Sequence, residues 1–181
     1  MLGKINPKIG IISKLRHYLP KFVLVLLYNS LILPHLSYCL EVWGNTYRSS
    51  LDPILKAQKK LVRIITFNDS FTHSKPLFHT LGILDIYSQF KCQICIFIHD
   101  LINNRLPRNF SDYFSFIQHS YQTRSVTNCN ISIPRKTFTL SQYSLDYHGG
   151  KIWNDVPHTI RNITNRNAFK SAIKEYFLIR Q

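Results

Sequence analysis

Four cations recur within one short stretch, "LDPILKAQKKLVRIITF": Lys56, Lys59, Lys60 and Arg63. On a helix turning about 100° per residue they share one narrow arc. Leu51, Ile54, Leu55, Leu61, Val62 and Ile65 fill the opposite side. Such a helix docks its apolar face on a core and holds its charges toward a polyanion. Ammonium and guanidinium groups take phosphate oxygens whatever the base. Four such contacts would give log K a slope of roughly −3 to −4 against log salt. A basic helix that merely faces water has the same pattern. The whole chain favours the ligand: 23 Lys and Arg stand against 9 Asp and Glu, a net charge of +14, so few acids are at hand to neutralise the arc.

Two other constellations bear on chemistry. Cys92, Cys95 and His99 would share one side of a helix, and thiolate and imidazole are zinc ligands. A structural zinc site takes a fourth ligand, usually from a second closely spaced pair, and Cys39 and Cys129 are single and distant. Cysteine as a small buried hydrophobe explains the pair more simply. The carboxylates are Glu41, Asp52, Asp69, Asp85, Asp100, Asp112, Asp146, Asp155 and Glu175, with no two adjacent or at an obvious metal-binding spacing. Two-metal phosphoryl transfer needs carboxylates gathered around its ions. Walker A, G-x-S-x-G and H-E-x-x-H motifs are missing, so neither a cofactor nor catalysis is expected. Gly149-Gly150 reads as a turn or a close-packing point rather than a phosphate cradle.

These residues need elements to position them. At 181 residues and 45% apolar content, with 12 Phe and 10 Tyr, the chain can bury a sizeable core. Helices are predicted near Lys8–Leu19, Lys21–Leu33, Leu36–Val42 and Leu51–Thr66, the last with Ser50 as N-cap and Pro53 in its first turn. A long helix over Asp85–Asn104 is capped by Asp85 and carries the stripe Ile86, Phe90, Ile94, Phe97, Ile98 and Leu101. After Arg105 the chain becomes richer in Ser, Thr, Asn and Pro. There "NCNISIP" and "KTFTLSQY" alternate like short strands. Helices return at Ser144–Trp153 and at about Asn167–Ile179, the latter burying Phe169, Ala172, Ile173 and Tyr176. The expected fold is therefore mainly α: a helical bundle over 1–104, then a smaller α+β part over 105–181 with a short β element.

The N-terminal stretch has scattered cations and no secretory h-region. The apolar run Phe22–Leu40 is interrupted by Asn29, Ser30, Pro34, His35 and Ser37, which argues against a membrane span. An intracellular location, nuclear or cytoplasmic, is expected.

The run "LYNSLILPHLSYCLEVWGNTYRSSLDPILKAQKKLVRIITF" resembles the segment that follows the palm in reverse transcriptases of LINE-type, jockey-like non-LTR retrotransposons. The likeness continues through "HSKPLFHTLGILDIYSQFKCQICIFIHDLINNRLP", "HSYQTRS", "GGKIWNDVP" and "NAFKSAIKEYFLIRQ", in order over nearly the whole chain. Its more specific pieces are Pro34…Tyr38…Trp43-Gly44-Asn45-Thr46, Gln58-Lys59-Lys60, Thr123-Arg124-Ser125 and Ile152-Trp153-Asn154…Pro157. That family copies RNA into DNA with palm aspartates in an F/Y-A-D-D box, which this sequence lacks. The resemblance implies a helical thumb and a C-terminal extension without palm, fingers or endonuclease: a fragment of an RNA-directed DNA polymerase that does not polymerise alone. A thumb holds the template–primer duplex, so the partner implied is an RNA or DNA backbone and the grip falls on Lys56, Lys59, Lys60 and Arg63. A CCHC knuckle of the kind some of these polymerases carry is not present. The alternatives are a stand-alone or domesticated RNA/DNA-binding module and, from Phe22–Leu33 with its basic flanks, a basic membrane-surface protein.

Overall fold

A computed structural model describes residues 2–117, 130–138 and 140–181. The chain is mainly helical, and its residues pack into two compact units. The first comprises Met1–Leu40, Thr46–Gln89 and Phe177–Gln181; the second comprises Glu41–Asn45 and Phe90–Tyr176. The change of texture at Arg105 lies inside the second.

The first unit opens with α1 (Leu2–Leu15), whose Ile5, Ile9 and Ile12 are buried at i, i+4 and i+7. The helix begins before its expected start at Lys8 and runs through Pro7, because this stripe already needs residue 5. Next come α2 (Lys21–Leu31) and α3 (Leu33–Ser37); α4 (Leu40–Trp43) follows, with Glu41–Trp43 belonging to the second unit. The single helix expected over Leu36–Val42 is broken at Cys39, whose φ is 50°. Lys8 ties α1 to this hairpin, its Nζ donating to the Leu31 carbonyl at 3.0 Å and hydrogen-bonding His35 Nε2.

Helix α5 spans Arg48–Thr66. It starts one turn earlier than predicted, so Tyr47 rather than Ser50 is its N-cap, and Pro53 falls in the second turn. The Ser49 carbonyl, deprived of that N–H, lies at an exposed position where water can take it. Leu51, Ile54, Gln58, Leu61, Val62 and Ile65 are buried. Gln58 is the polar member of that face. Its Nε2 donates to the Tyr28 hydroxyl (3.1 Å) and the Leu84 carbonyl (3.3 Å), and burial pushes the Tyr28 phenol up to about 12.

Helix α6 (Ser74–Leu81), short and containing Pro76, lies where the sequence pattern predicts no element. It ends on Gly82 at φ 63°, where the Gly82 and Ile83 N–H groups bond the His79 and Phe78 carbonyls. Helix α7 (Ile86–Ile102) is capped as expected, the Ser88 N–H reaching Asp85 Oδ1 at 2.7 Å. Gln181 closes this unit by bonding the Asp85 N–H and the Ile83 carbonyl.

In the second unit α7 is buried on two sides: Phe90, Ile94 and Ile98 on one, and Cys92, Cys95 and His99 also within the core. Two turns of 3-10 helix at Arg108–Tyr113 lead to an extended stretch. Among the described residues no strand forms. A lone antiparallel bridge joins Phe116 and Ile131. Asn128 and Cys129 of "NCNISIP" lie outside the described residues, as does Thr139. Of "KTFTLSQY", Leu140–Tyr143 is 3-10 helix rather than strand. Two backbone bonds flank the Phe116–Ile131 bridge, Ile117 N–H to the Asn130 carbonyl at 3.0 Å and Ser132 N–H to the Ser115 carbonyl at 2.7 Å, and a side chain adds two more: Asn154 Oδ1 accepts from the Ile131 N–H and Nδ2 donates to the Ile131 carbonyl, both at 2.9 Å.

Helix α8 (Leu145–Asn154) buries Gly149, Gly150, Ile152 and Trp153. A Cβ on Gly149 would meet the Phe114 ring at 3.2 Å, and one on Gly150 would meet Ile131 Cγ2 at 3.3 Å. The pair is a close-packing point. A short α9 (His158–Arg161) precedes α10 (Arg166–Arg180), capped by Asn165 Oδ1 on the Asn167 and Ala168 N–H groups. α10 buries Phe169, Ile173 and Phe177; Ala172 and Tyr176 are half-buried.

Candidate nucleic-acid interface

The apolar face of α5 fixes the direction of its other face. Lys56 and Lys60 are exposed, while Lys59 and Arg63 are half-buried. Long cationic side chains can lay their stems on apolar surface and keep the charge outward. Among the described residues no carboxylate lies within ion-pairing distance of any of the four. Unneutralised charge is what the grip requires. Arg63 also supports the local fold, because its Nε donates to the Thr72 carbonyl at 2.8 Å and pins the loop after α5. Asp52 begins the same face, and its Oδ1 accepts the Tyr87 hydroxyl at 2.8 Å while Arg48 lies over the Tyr87 ring. The basic arc thus runs from Lys56 toward the C-terminal end of the helix.

Sequence reasoning missed the contribution of α1, which packs along α5. Asn6, Ile9, Gly10 and Ser13 of α1, with Ala57 and Lys60 of α5, line an open cleft of about 370 Å³. At the far end of the pair, Arg16 stands over the Phe67 ring, 5.2 Å from its centroid, and His17 meets that ring edge-on at 5.9 Å. Arg16 Nε donates to His17 Nε2 at 3.1 Å. No local signal placed α1 beside α5; only the packing of two amphipathic helices does so.

Among the described residues, three other Lys and Arg side chains pair with carboxylates. Lys136 pairs with Asp146 at 3.0 Å. Arg166 clasps Asp100 through contacts of 2.7, 2.8 and 2.9 Å, and Arg105 reaches the same carboxylate at 3.5 Å. Burial alone would lift the Asp100 carboxyl. The hydrogen bonds and charge of Arg166, then Arg105, outweigh that and hold it below the ordinary carboxylate range.

Cys92, Cys95 and His99 are all buried, but packing and hydrogen bonds occupy them. His99 stacks on Phe169 at 4.0 Å between centroids, and its Nε2 donates to the Ile163 carbonyl at 2.7 Å. Burial pushes the Cys92 thiol up to about 12 and Cys95 well above its usual value, which makes both poor nucleophiles. Among the described residues no three His, Cys, Asp or Glu side chains converge as metal ligands. Nor is any single helix there long and apolar enough to cross a membrane.

Several residues of the resemblance hold the fold together. Asn45 Nδ2 donates to the Tyr143 carbonyl and its Oδ1 accepts from His148 Nδ1, whose pKa is lowered by burial, then by Lys91 and Lys151. Gln58, Gly149, Gly150 and Asn154 act as described above, and Thr123-Arg124-Ser125 lie outside the described residues. No protein-family model matches the chain, and neither the curated proteins nor the solved structures give a match.

Proposed function

We propose that this chain is a nucleic-acid grip, a thumb-like helical element from a retrotransposon RNA-directed DNA polymerase, which binds a template–primer duplex by its backbone and has no polymerase chemistry of its own. One observation carries the reading: α5 buries Leu51, Ile54, Leu61, Val62 and Ile65 and turns Lys56, Lys59, Lys60 and Arg63 the other way, with no carboxylate among the described residues paired to them. Fixed cations on a rigid helix recognise the regular spacing of phosphates rather than bases. In the +14 chain, long-range attraction would raise the encounter rate with any polyanion. The sequence resemblance supplies the polymerase context, and the bundle of α1, α2 and α5 fits the expected thumb-like architecture.

A second reading rests on a different face. α2 exposes Phe22 (73%) and Leu26 (62%) beside Lys21, a pattern that also suits the surface of an anionic membrane. Parallel assays separate the two: titration of a fluorescent RNA–DNA duplex at low salt, and flotation with anionic vesicles. The grip requires duplex binding that salt weakens. Flotation without duplex binding replaces it with the membrane reading.

A further inference from the structure

The α5 helix ends on a residue type that the local backbone conformation disfavours. Its C-terminal residue is Phe67, in the left-handed region at φ 58° and ψ 28°. Helix α6 ends in the same conformation, at φ 63°, but on Gly82. Glycine adopts that geometry without a Cβ clash, whereas an L side chain strains it. The other described non-glycine residues at positive φ are Cys39 and Asn104. Phe67 therefore stands out as an aromatic residue at a glycine position. It is also 55% exposed, and Phe71, in the same loop, is 95% exposed. Strain and exposed aromatic area both count against stability, and such outliers point from structure to function.

The surroundings of the two rings define what they would meet. Arg16 covers Phe67 at 5.2 Å, and His17 stands edge-on to it. Arg63, a member of the basic arc, holds the loop through the Thr72 carbonyl at 2.8 Å. Thr72 N–H in turn bonds the Asp69 carbonyl at 3.1 Å, so Phe71 projects from a closed loop. Rings interleaved with cations at the end of a phosphate-binding face are the arrangement that takes unpaired bases: the cations hold the backbone and the rings stack on base faces. An apolar protein partner would find charges at the rim of this patch; a single strand finds the cations Arg16 and Arg63 against one exposed carboxylate, Asp69.

We infer that Phe67 and Phe71, with Arg16 and His17, form a stacking platform for unpaired nucleotides at the end of the basic helix, so that the chain binds a junction between duplex and single strand rather than a blunt duplex. This deepens the grip reading and rests on it. Stacking on an aromatic ring is sequence-tolerant, so the platform reads the presence of an unpaired base and not its identity.

The test measures anisotropy of three labelled probes, a blunt RNA–DNA duplex, the same duplex with a single-stranded overhang, and the overhang strand alone, on the full chain and two variants. Phe67→Gly relieves the left-handed strain, so its Tm should equal or exceed the parent's. Together with Phe71→Ala it should weaken overhang binding by roughly 5- to 150-fold per base unstacked, and leave blunt-duplex affinity and its salt slope unchanged. Lys59→Ala/Lys60→Ala should weaken all three probes alike. Equal overhang binding by the parent and the Phe variants, with the Lys variant weakened, overturns the platform and spares the grip. No binding of any probe by the parent chain overturns both. Phe71-dependent flotation with anionic vesicles, without any overhang preference, overturns the platform in favour of a membrane contact.

Discussion

Replacing Asp100 with Asn tests the electrostatics of the second unit. The wild-type carboxylate is 7% exposed and accepts from Arg166 at 2.7–2.9 Å, with Arg105 at 3.5 Å. Charge-assisted hydrogen bonds contribute about 1.5–3 kcal/mol each when well desolvated. The partners are not: the Arg166 side chain is 47% exposed and that of Arg105 37%, so water screens them and rehydrates them once released. The cluster as a whole is therefore worth about 2 kcal/mol, the low end of that range. Asn keeps one acceptor but turns N–H donors toward guanidinium donors. In a chain of this size the loss lowers Tm by about 4–8 °C. The pH dependence has a definite sign. The folded-state pKa of Asp100 is lowered, so its contribution is complete above the unfolded carboxyl value and fades as pH falls through the ordinary carboxylate range toward the lower folded value. Urea denaturation of both proteins at a series of pH values measures this. The gap should be full at pH 7 and close in acid, where the wild-type carboxyl is also neutral. No gap at pH 7, or one that persists undiminished in acid, refutes the reasoning.

The same structure fixes other outcomes. Gly3→Ala and Gly10→Ala, each with nothing within 4 Å of the new Cβ, should stabilise α1 by about 0.5–1 kcal/mol apiece in urea denaturation. Gly150→Leu, forced against Ile131 and Ile133, should cost at least about 1–3 kcal/mol in the same assay. In a Cys129→Ser background at pH 8, maleimide should label exposed Cys39 quickly and buried Cys92 and Cys95 only after denaturation, and the purified chain should hold no stoichiometric zinc; about one zinc per chain, lost on Cys92→Ser, would reverse the packing account. Primer-extension assays with Mg²⁺ or Mn²⁺ should show no dNTP incorporation, and incorporation abolished by a single Asp change would contradict this.

What could be read in the sequence was whatever one helix carries in its own periodicity. The inward and outward faces of α5, the Asp85 cap, the doubly buried α7 and the close-packed glycines of α8 all follow local rules. Boundaries slipped where a local rule was overridden. The helix expected from Lys8 begins at Leu2, because the stripe through Ile5 draws it across Pro7, and the one expected from Leu51 begins a turn earlier, at Arg48. Alternation in "KTFTLSQY" suggested a strand, yet Leu140–Tyr143 coils into 3-10 helix. The extended 130–134 stretch is held by Asn154 and by two backbone bonds to residues 115 and 117, too few to make a strand. Gln58, part of the Gln58-Lys59-Lys60 piece of the resemblance, is drawn inward by Tyr28 and Leu84. The surface beside α5 was not legible, because Arg16 and Phe67 are 51 positions apart and meet only once α1 packs on α5.

If the outward face of α5 grips a nucleic-acid backbone, the most direct test is the affinity of wild type and Lys59→Ala/Lys60→Ala for one RNA–DNA duplex over a range of salt concentrations. Both positions point away from the buried stripe, so the double variant should fold normally, within about 0.5 kcal/mol per substitution. The grip predicts that affinity falls for every duplex sequence alike and that the salt slope shrinks by about one unit for each cation removed. A well-folded double variant with unchanged affinity and unchanged slope would contradict it.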